Sequence, residues 1–107
     1  MTDISPTLLE KIVGCLVATL RPERIYLFGS HVYGKPHEYS DLDFLVVVPD
    51  DAGDADELAI AGRRALLDYP VAVDLLIYHR SEMDKWAPVR CSLPHTVMQK
   101  GKQLYAA

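Results

Sequence analysis

Cysteine is scarce in this chain: Cys15 and Cys91 are the only two, and they stand in no metal-ligand spacing. With no basic-then-apolar leader after Met1-Thr2-Asp3, they read as reduced thiols in the cytosol rather than as a disulfide framework. Long apolar runs are missing too. The longest, residues 44–48 and 75–78, fall far short of the roughly 20 residues that cross a bilayer, so a membrane span is excluded. Histidine is represented by His31, His37, His79 and His95, scattered without a zinc-binding repeat. Positive charge is in deficit, with 11 Lys and Arg against 15 Asp and Glu and a net charge of −4. Such a surface does not gather nucleic-acid phosphates, which disfavours a polynucleotide substrate. The adjacent cations Arg63 and Arg64, and those from Lys100 to Lys102, read as solvated faces.

What remains is ordinary globular composition, 50% apolar and 24% charged in 107 residues, sufficient for one domain spanning 1–107 with a modest core. Ser5-Pro6 opens a helix in which Leu8, Leu9, Ile12, Val13, Leu16, Val17 and Leu20 recur at three-to-four spacing, until Arg21-Pro22 stops it. A short buried strand follows at 24–28 and a second at 41–48, ended by Pro49. Asp54 with Glu57 resembles a capping box before a second amphipathic helix, which Tyr69-Pro70 breaks. A third strand is expected at 71–78. Residues 81–107 read as one or two short helices broken at Pro88 and Pro94, then a terminal strand at 103–105. Strands separated by helices predict an α+β (α/β) fold with one sheet and the helices mostly on one face.

Three acids fall on strands. Asp41 and Asp43 are two apart, so a strand projects both from one face, where they repel each other unless a cation lies between them. Clustered hard oxygens suit Mg²⁺. Asp74 sits within an apolar strand of its own, and a carboxylate buried there without compensation is costly, so it is expected to complete the same cluster. Upstream, Gly29-Ser30 follows a strand and precedes a segment, His31 to Gly34, with room for one helical turn. A glycine, a small hydroxyl and free amides make a phosphate-binding arrangement. Tyr33, Tyr39, Tyr78, His79 and Arg80 are near the predicted site without belonging to any pattern.

The combination of Gly29-Ser30, a ten-residue spacer containing Gly34 and Ser40, Asp41-Leu42-Asp43 and the later Val73-Asp74-Leu75-Leu76 resembles the nucleotidyltransferase superfamily, and most closely its minimal nucleotidyltransferase (MNT) group. The likeness extends from about Arg24 to Tyr105, with no departure at the motif positions. It implies a polymerase-β-like fold, a mixed β-sheet packed against helices. It implies Asp41, Asp43 and Asp74 as the catalytic residues and as ligands of two Mg²⁺ ions, and Gly29, Ser30 and Ser40 as nucleotide-binding residues, with ATP as substrate. Larger relatives carry an added acceptor-binding domain for which 107 residues leave no room, so the resemblance also implies a partner. In this group the partner is a HEPN toxin, adenylylated on a tyrosine and so silenced by its antitoxin. Two other readings stay open: a nucleotide-binding antitoxin that inhibits without transfer, and transfer to a small molecule in a pocket shared within a homo-oligomer.

Overall fold

The computed structural model describes residues 5–29 and 42–107, which form four helices and a four-stranded sheet. Helix α1 (Pro6–Leu20) begins where Ser5 Oγ accepts the Leu8 amide at 3.3 Å, and it buries Ile12, Leu16 and Leu20, spaced by four. It ends at Arg21, whose φ of +48° lies in the left-handed region and whose N–H caps the Val17 carbonyl at 2.9 Å. The following Pro22 disfavours the helical conformation at Arg21, so the turn comes here.

Strands β1 (Arg24–Phe28) and β2 (Leu42–Val48) pair antiparallel. Asp54 caps helix α2 (Ala55–Ala65) by accepting the Glu57 amide at 3.1 Å. That helix is the crossover to β3 (Val73–His79), which runs parallel to β2. Helices α3 (Arg80–Trp86) and α4 (Leu93–Lys100) follow, and β4 (Lys102–Ala106) returns antiparallel to β1, giving the order β3-β2-β1-β4. Pro94 does not break the last helix as the sequence suggested. It occupies the first turn behind the cap Ser92, where its missing N–H has no partner to lose.

The helices cover both faces of the sheet, not mainly one. β2 explains why: six of its seven residues are buried, so each face of this central strand must be packed. Leu42, Phe44, Val46 and Val48 join Ile25, Leu27 and Leu75 beneath α1 and α2, while Leu45, Val47, Tyr26 and Phe28 meet Met83 of α3 and Val97 of α4 on the other side. On the first face α2 approaches very closely at Gly62, where a Cβ would lie 2.7 Å from Leu75 Cδ1 and 3.4 Å from Leu20 Cδ1. Gly62→Val is therefore expected to lower unfolding free energy by about 1–3 kcal/mol through overpacking. Urea unfolding measures it, and an unchanged midpoint would show that the contact can relax.

Candidate active site

Strand order alone places the site. β1 ends at Phe28, opposite Asp43 near the start of β2, and Asp43 is in turn in register with Asp74 near the start of β3. Neighbouring strands lie about 4.8 Å apart, so the two carboxylates stand side by side. Both project from the face that carries Leu45, Val47, Leu76 and Tyr78, because strand side chains alternate. Asp43 is half-buried and Asp74 is exposed. The expectation that Asp74 is buried among apolar neighbours is thus corrected: among the described residues β3 is the outermost strand on its side, and its second residue is exposed at the rim of the sheet. Among the described residues no hydrogen bond or ion pair engages the Asp74 carboxylate.

Gly29 supplies the third side. Its φ of +83° is a conformation open to glycine at little cost. A Cβ built there would run into the Asp43 carboxylate, with Asp43 Cγ at 3.1 Å and Asp43 Cβ at 3.4 Å. The backbone turn after β1 therefore lies directly against the acid of β2, and only a residue without a side chain permits it. Ser30, Ser40 and Asp41 lie outside the described residues, as do Tyr33 and Tyr39. Of the three predicted acids the structure brings together Asp43 and Asp74. Among the described residues no group of three His, Cys, Asp or Glu side chains is placed to hold a metal. The donor set that is present, two adjacent carboxylates at a sheet rim with a bare backbone turn beside them, fits a hard divalent cation in contact with a phosphate chain.

Tyr78 packs into the second core cluster and lies four residues along β3 from Asp74, so it is a packing residue. His79 and Arg80 lie at the far end of the sheet. There His79 Nε2 donates to the Gly53 carbonyl at 2.6 Å and Nδ1 donates to Glu82 Oε1 at 3.0 Å, while Asp50 Oδ1 accepts the Ser81 amide at 2.9 Å. The Gly53 carbonyl, then the Glu82 carboxylate, raise the His79 pKa above its ordinary 6.5; the Ser81 hydrogen bonds lower that of Asp50 below 3.8. The raised His79 value means that its contribution to stability is full below pH 6.5 and fades as pH rises through the folded-state pKa. The lowered Asp50 value means the reverse: full above pH 3.8, fading as pH falls. Hence His79→Asn should destabilise the protein more at pH 5.5 than at pH 9, as read by urea unfolding at both. Equal losses at both would show that the imidazolium contributes nothing.

Sequence reading missed that residues 31 apart, Asp50 and Ser81, tie the two loops at this end, because no local pattern announces a long-range pair. Likewise Arg63, read as part of a solvated face, lines a groove beside β3 together with Ile60, Leu75 and Ile77. None of the helices among the described residues is long and apolar enough to cross a membrane.

Comparison with known proteins points to one family. The chain is similar to one chain of the crystallised toxin–antitoxin MntA-HpeT carrying two Asp-to-Glu substitutions, with 26% identity, a TM-score of 0.61, and 92% of this chain and 73% of that one covered. It is similar to a chain of a toxin–antitoxin crystallised with AMP-PNP, with 28% identity, a TM-score of 0.60 and the same two coverages, 92% and 73%. A Sulfolobus solfataricus protein described as a nucleotidyltransferase shares the fold at 23% identity and a TM-score of 0.57, over 74% of this chain and 70% of its own. No curated protein matches the sequence. Residues 9–101 match the nucleotidyltransferase domain, a span that includes Gly29, Asp43 and Asp74. With that match and the α+β fold of its structural neighbours, the chain belongs to the nucleotidyltransferase domain family and is a nucleotidyltransferase.

Proposed function

We propose that this protein, as a single minimal domain over residues 1–107, transfers AMP from ATP to a tyrosine hydroxyl of a partner HEPN toxin and thereby acts as its antitoxin. The observation that carries the reading is the register of Asp43 with Asp74, closed on one side by the Gly29 turn. Two of the structures it is similar to are toxin–antitoxin proteins, and one was crystallised with AMP-PNP. Asp41, Asp43 and Asp74 are the catalytic residues and would hold two Mg²⁺ ions. Bound there, the metal supplies positive charge to the triphosphate and lowers the pKa of the acceptor hydroxyl.

The chain's own groups do the positioning. Gly29, Ser30 and Ser40 bind the nucleotide, with the Gly29 backbone free to approach the phosphates because no Cβ intervenes. Half-buried Asp43 fixes the inner side of the site, and exposed Asp74 faces the side from which a protein hydroxyl arrives. The acceptor hydroxyl releases its proton to solvent, its oxygen bonds to the α-phosphorus as the bond from that phosphorus to the bridging oxygen breaks, and pyrophosphate leaves. Catalysis is then position and charge, with no covalent enzyme intermediate.

The test incubates the purified protein with the product of the neighbouring gene, Mg²⁺ and ATP labelled at the α-phosphate, and reads a denaturing gel. Label on the partner establishes protein adenylylation. Absence of label with Mg·ATP binding intact sinks it for that partner, and label passing to a small molecule without any partner supports the third reading instead.

A further inference from the structure

Two cations stand at the glycine end of the sheet. β4 is antiparallel to β1 with Lys102 opposite Leu27, so the chain ahead of Lys102 extends toward Phe28 and the Gly29 turn. Gly101 closes that junction. A Cβ built on it would lie 3.2 Å from the Leu27 carbonyl oxygen and 2.6 Å from that of Val97, so the passage from α4 into β4 packs against β1 two residues before Gly29. Lys100, the last residue of α4, and Lys102, the first of β4, flank this glycine, and both are exposed. Val97, one turn earlier, packs with Tyr26 and Phe28, which places the end of α4 on the face from which Asp43 and Asp74 project.

The two ends of the sheet use their charges differently. At the far end Arg80 faces Glu23 at 3.7 Å and His79 faces Glu82 at 3.0 Å. At the glycine end, among the described residues, neither Lys100 nor Lys102 has an ion pair or a hydrogen-bonded side-chain partner. Two structural roles are available to them, and neither covers the pair. A cation in the last turn of a helix favours the helix dipole, which accounts for Lys100 alone. A lysine on an edge strand discourages the addition of a further strand, which accounts for Lys102 alone. Two unpaired cations, beside a glycine turn that lies bare against a carboxylate, suit a ligand with several negative charges. Arg63 and Arg64 do not compete for it at this position, since they end α2 beside β3, two strands from β1.

Resting on the reading of the Gly29 turn as the phosphate-binding side of the site, we propose that Lys100 and Lys102 bind the β- and γ-phosphates of the nucleoside triphosphate and the pyrophosphate formed from them. Strand order sets the direction. From β3 across to β4 the sheet presents Asp74, Asp43, Gly29 and then the two lysines. A triphosphate with its α-phosphorus at the carboxylates and its tail along the glycine turn therefore ends at the lysines. The flexible four-carbon stem of lysine carries a compact charge across the remaining space and adapts to a phosphate chain. Negative charge grows on the leaving phosphates as the bond from the α-phosphorus to the bridging oxygen breaks. The two ammonium groups offset it from the side of the sheet away from Asp74.

Calorimetric titration of the intact chain with AMP-PNP and with AMP, each in Mg²⁺, tests this, because only the first carries β- and γ-phosphates. The double variant Lys100→Gln/Lys102→Gln should bind AMP-PNP at least about tenfold more weakly and AMP within about twofold of wild type, as expected for the loss of charge-assisted hydrogen bonds to the outer phosphates. Lys100→Arg/Lys102→Arg should recover most of the AMP-PNP affinity, and circular dichroism melts of both variants should match the wild type. Wild-type affinity for AMP-PNP in the Gln variant would overturn the proposal and leave nucleotidyl transfer in place. An equal loss for AMP and AMP-PNP would overturn it as well, since the lysines would then act through the fold or the α-phosphate. Weakened capture of the product of the neighbouring gene, with AMP-PNP affinity unchanged, would assign the pair to a partner surface instead and overturn it too. A wild-type chain that binds neither nucleotide would sink the phosphate-binding reading of Gly29 and the proposal together.

Discussion

An Asp43→Asn variant should keep its fold and lose transfer of labelled AMP by on the order of 10²–10³-fold, the loss that follows removal of one preorganised electrostatic group from a reaction site. The substitution nearly preserves shape, exchanging one carboxylate oxygen for an amide nitrogen and removing the negative charge. Asp43 lies between the Gly29 turn and Asp74, where a hard cation and a phosphate chain would meet. An amide there offers one neutral oxygen where the carboxylate offers two charged ones. Folding tolerates the change because the adjacent Asp74 carboxylate ceases to face a like charge, so thermal unfolding should move by a few degrees at most. The checks are label transferred per unit time and a circular dichroism melt on one preparation. Wild-type transfer by a folded Asp43→Asn protein would remove the carboxylate pair from the mechanism. The same variant separates an enzyme from a steric inhibitor, since only the enzyme then fails to neutralise its partner.

Gly29→Val should damage stability and turnover together. At a φ of +83° a β-branched residue is strained, and the left-handed conformation alone costs about 1–2 kcal/mol. Its Cβ would also occupy space now held by the Asp43 carboxylate. Relief requires either the turn or the acid to move, and both belong to the candidate site. We expect a loss of about 2 kcal/mol or more, seen as a fall in Tm of roughly 10 °C for a domain of this size. Transfer should be lost even at temperatures where the variant is folded, because the misplacement persists in the native state. A folded Gly29→Val protein with undiminished transfer would show that the close approach of Gly29 to Asp43 plays no part in the reaction. Gly29→Ala brings the same Cβ without the branch and should show the same loss of turnover with a smaller loss of stability.

Much of the secondary structure was legible because its signals are local. The Ser5 cap, the four-residue spacing of Ile12, Leu16 and Leu20, and the Asp54 cap are all satisfied as their sequence patterns predict. Where local reading erred, the error was one of position within an element or between elements. Pro94 interrupts a helix in its interior and initiates one in its first turn, and the residue type does not say which applies. The apolar run of β2 showed that the strand was buried without showing that helices would come from both sides. Asp43 was legible as a candidate through its two-residue spacing from Asp41, and Asp74 through its apolar strand and the family pattern, but the exposure of Asp74 was not, because it depends on β3 being the outermost of the described strands on its side.

Periodicity was enough to indicate an α+β class and the spacing of Asp41 and Asp43 to nominate that pair, since both are local; Asp74 was singled out as an acid in an apolar strand, and Gly29 through the resemblance to the nucleotidyltransferase superfamily. Strand order and register were decided only in three dimensions. They set Asp43 opposite Phe28 on one side and Asp74 on the other, and put Gly29 against a carboxylate 14 positions later in the chain. Pairing between distant segments depends on how apolar faces are best buried together, and that balance belongs to the whole chain, so no stretch of sequence carries it alone.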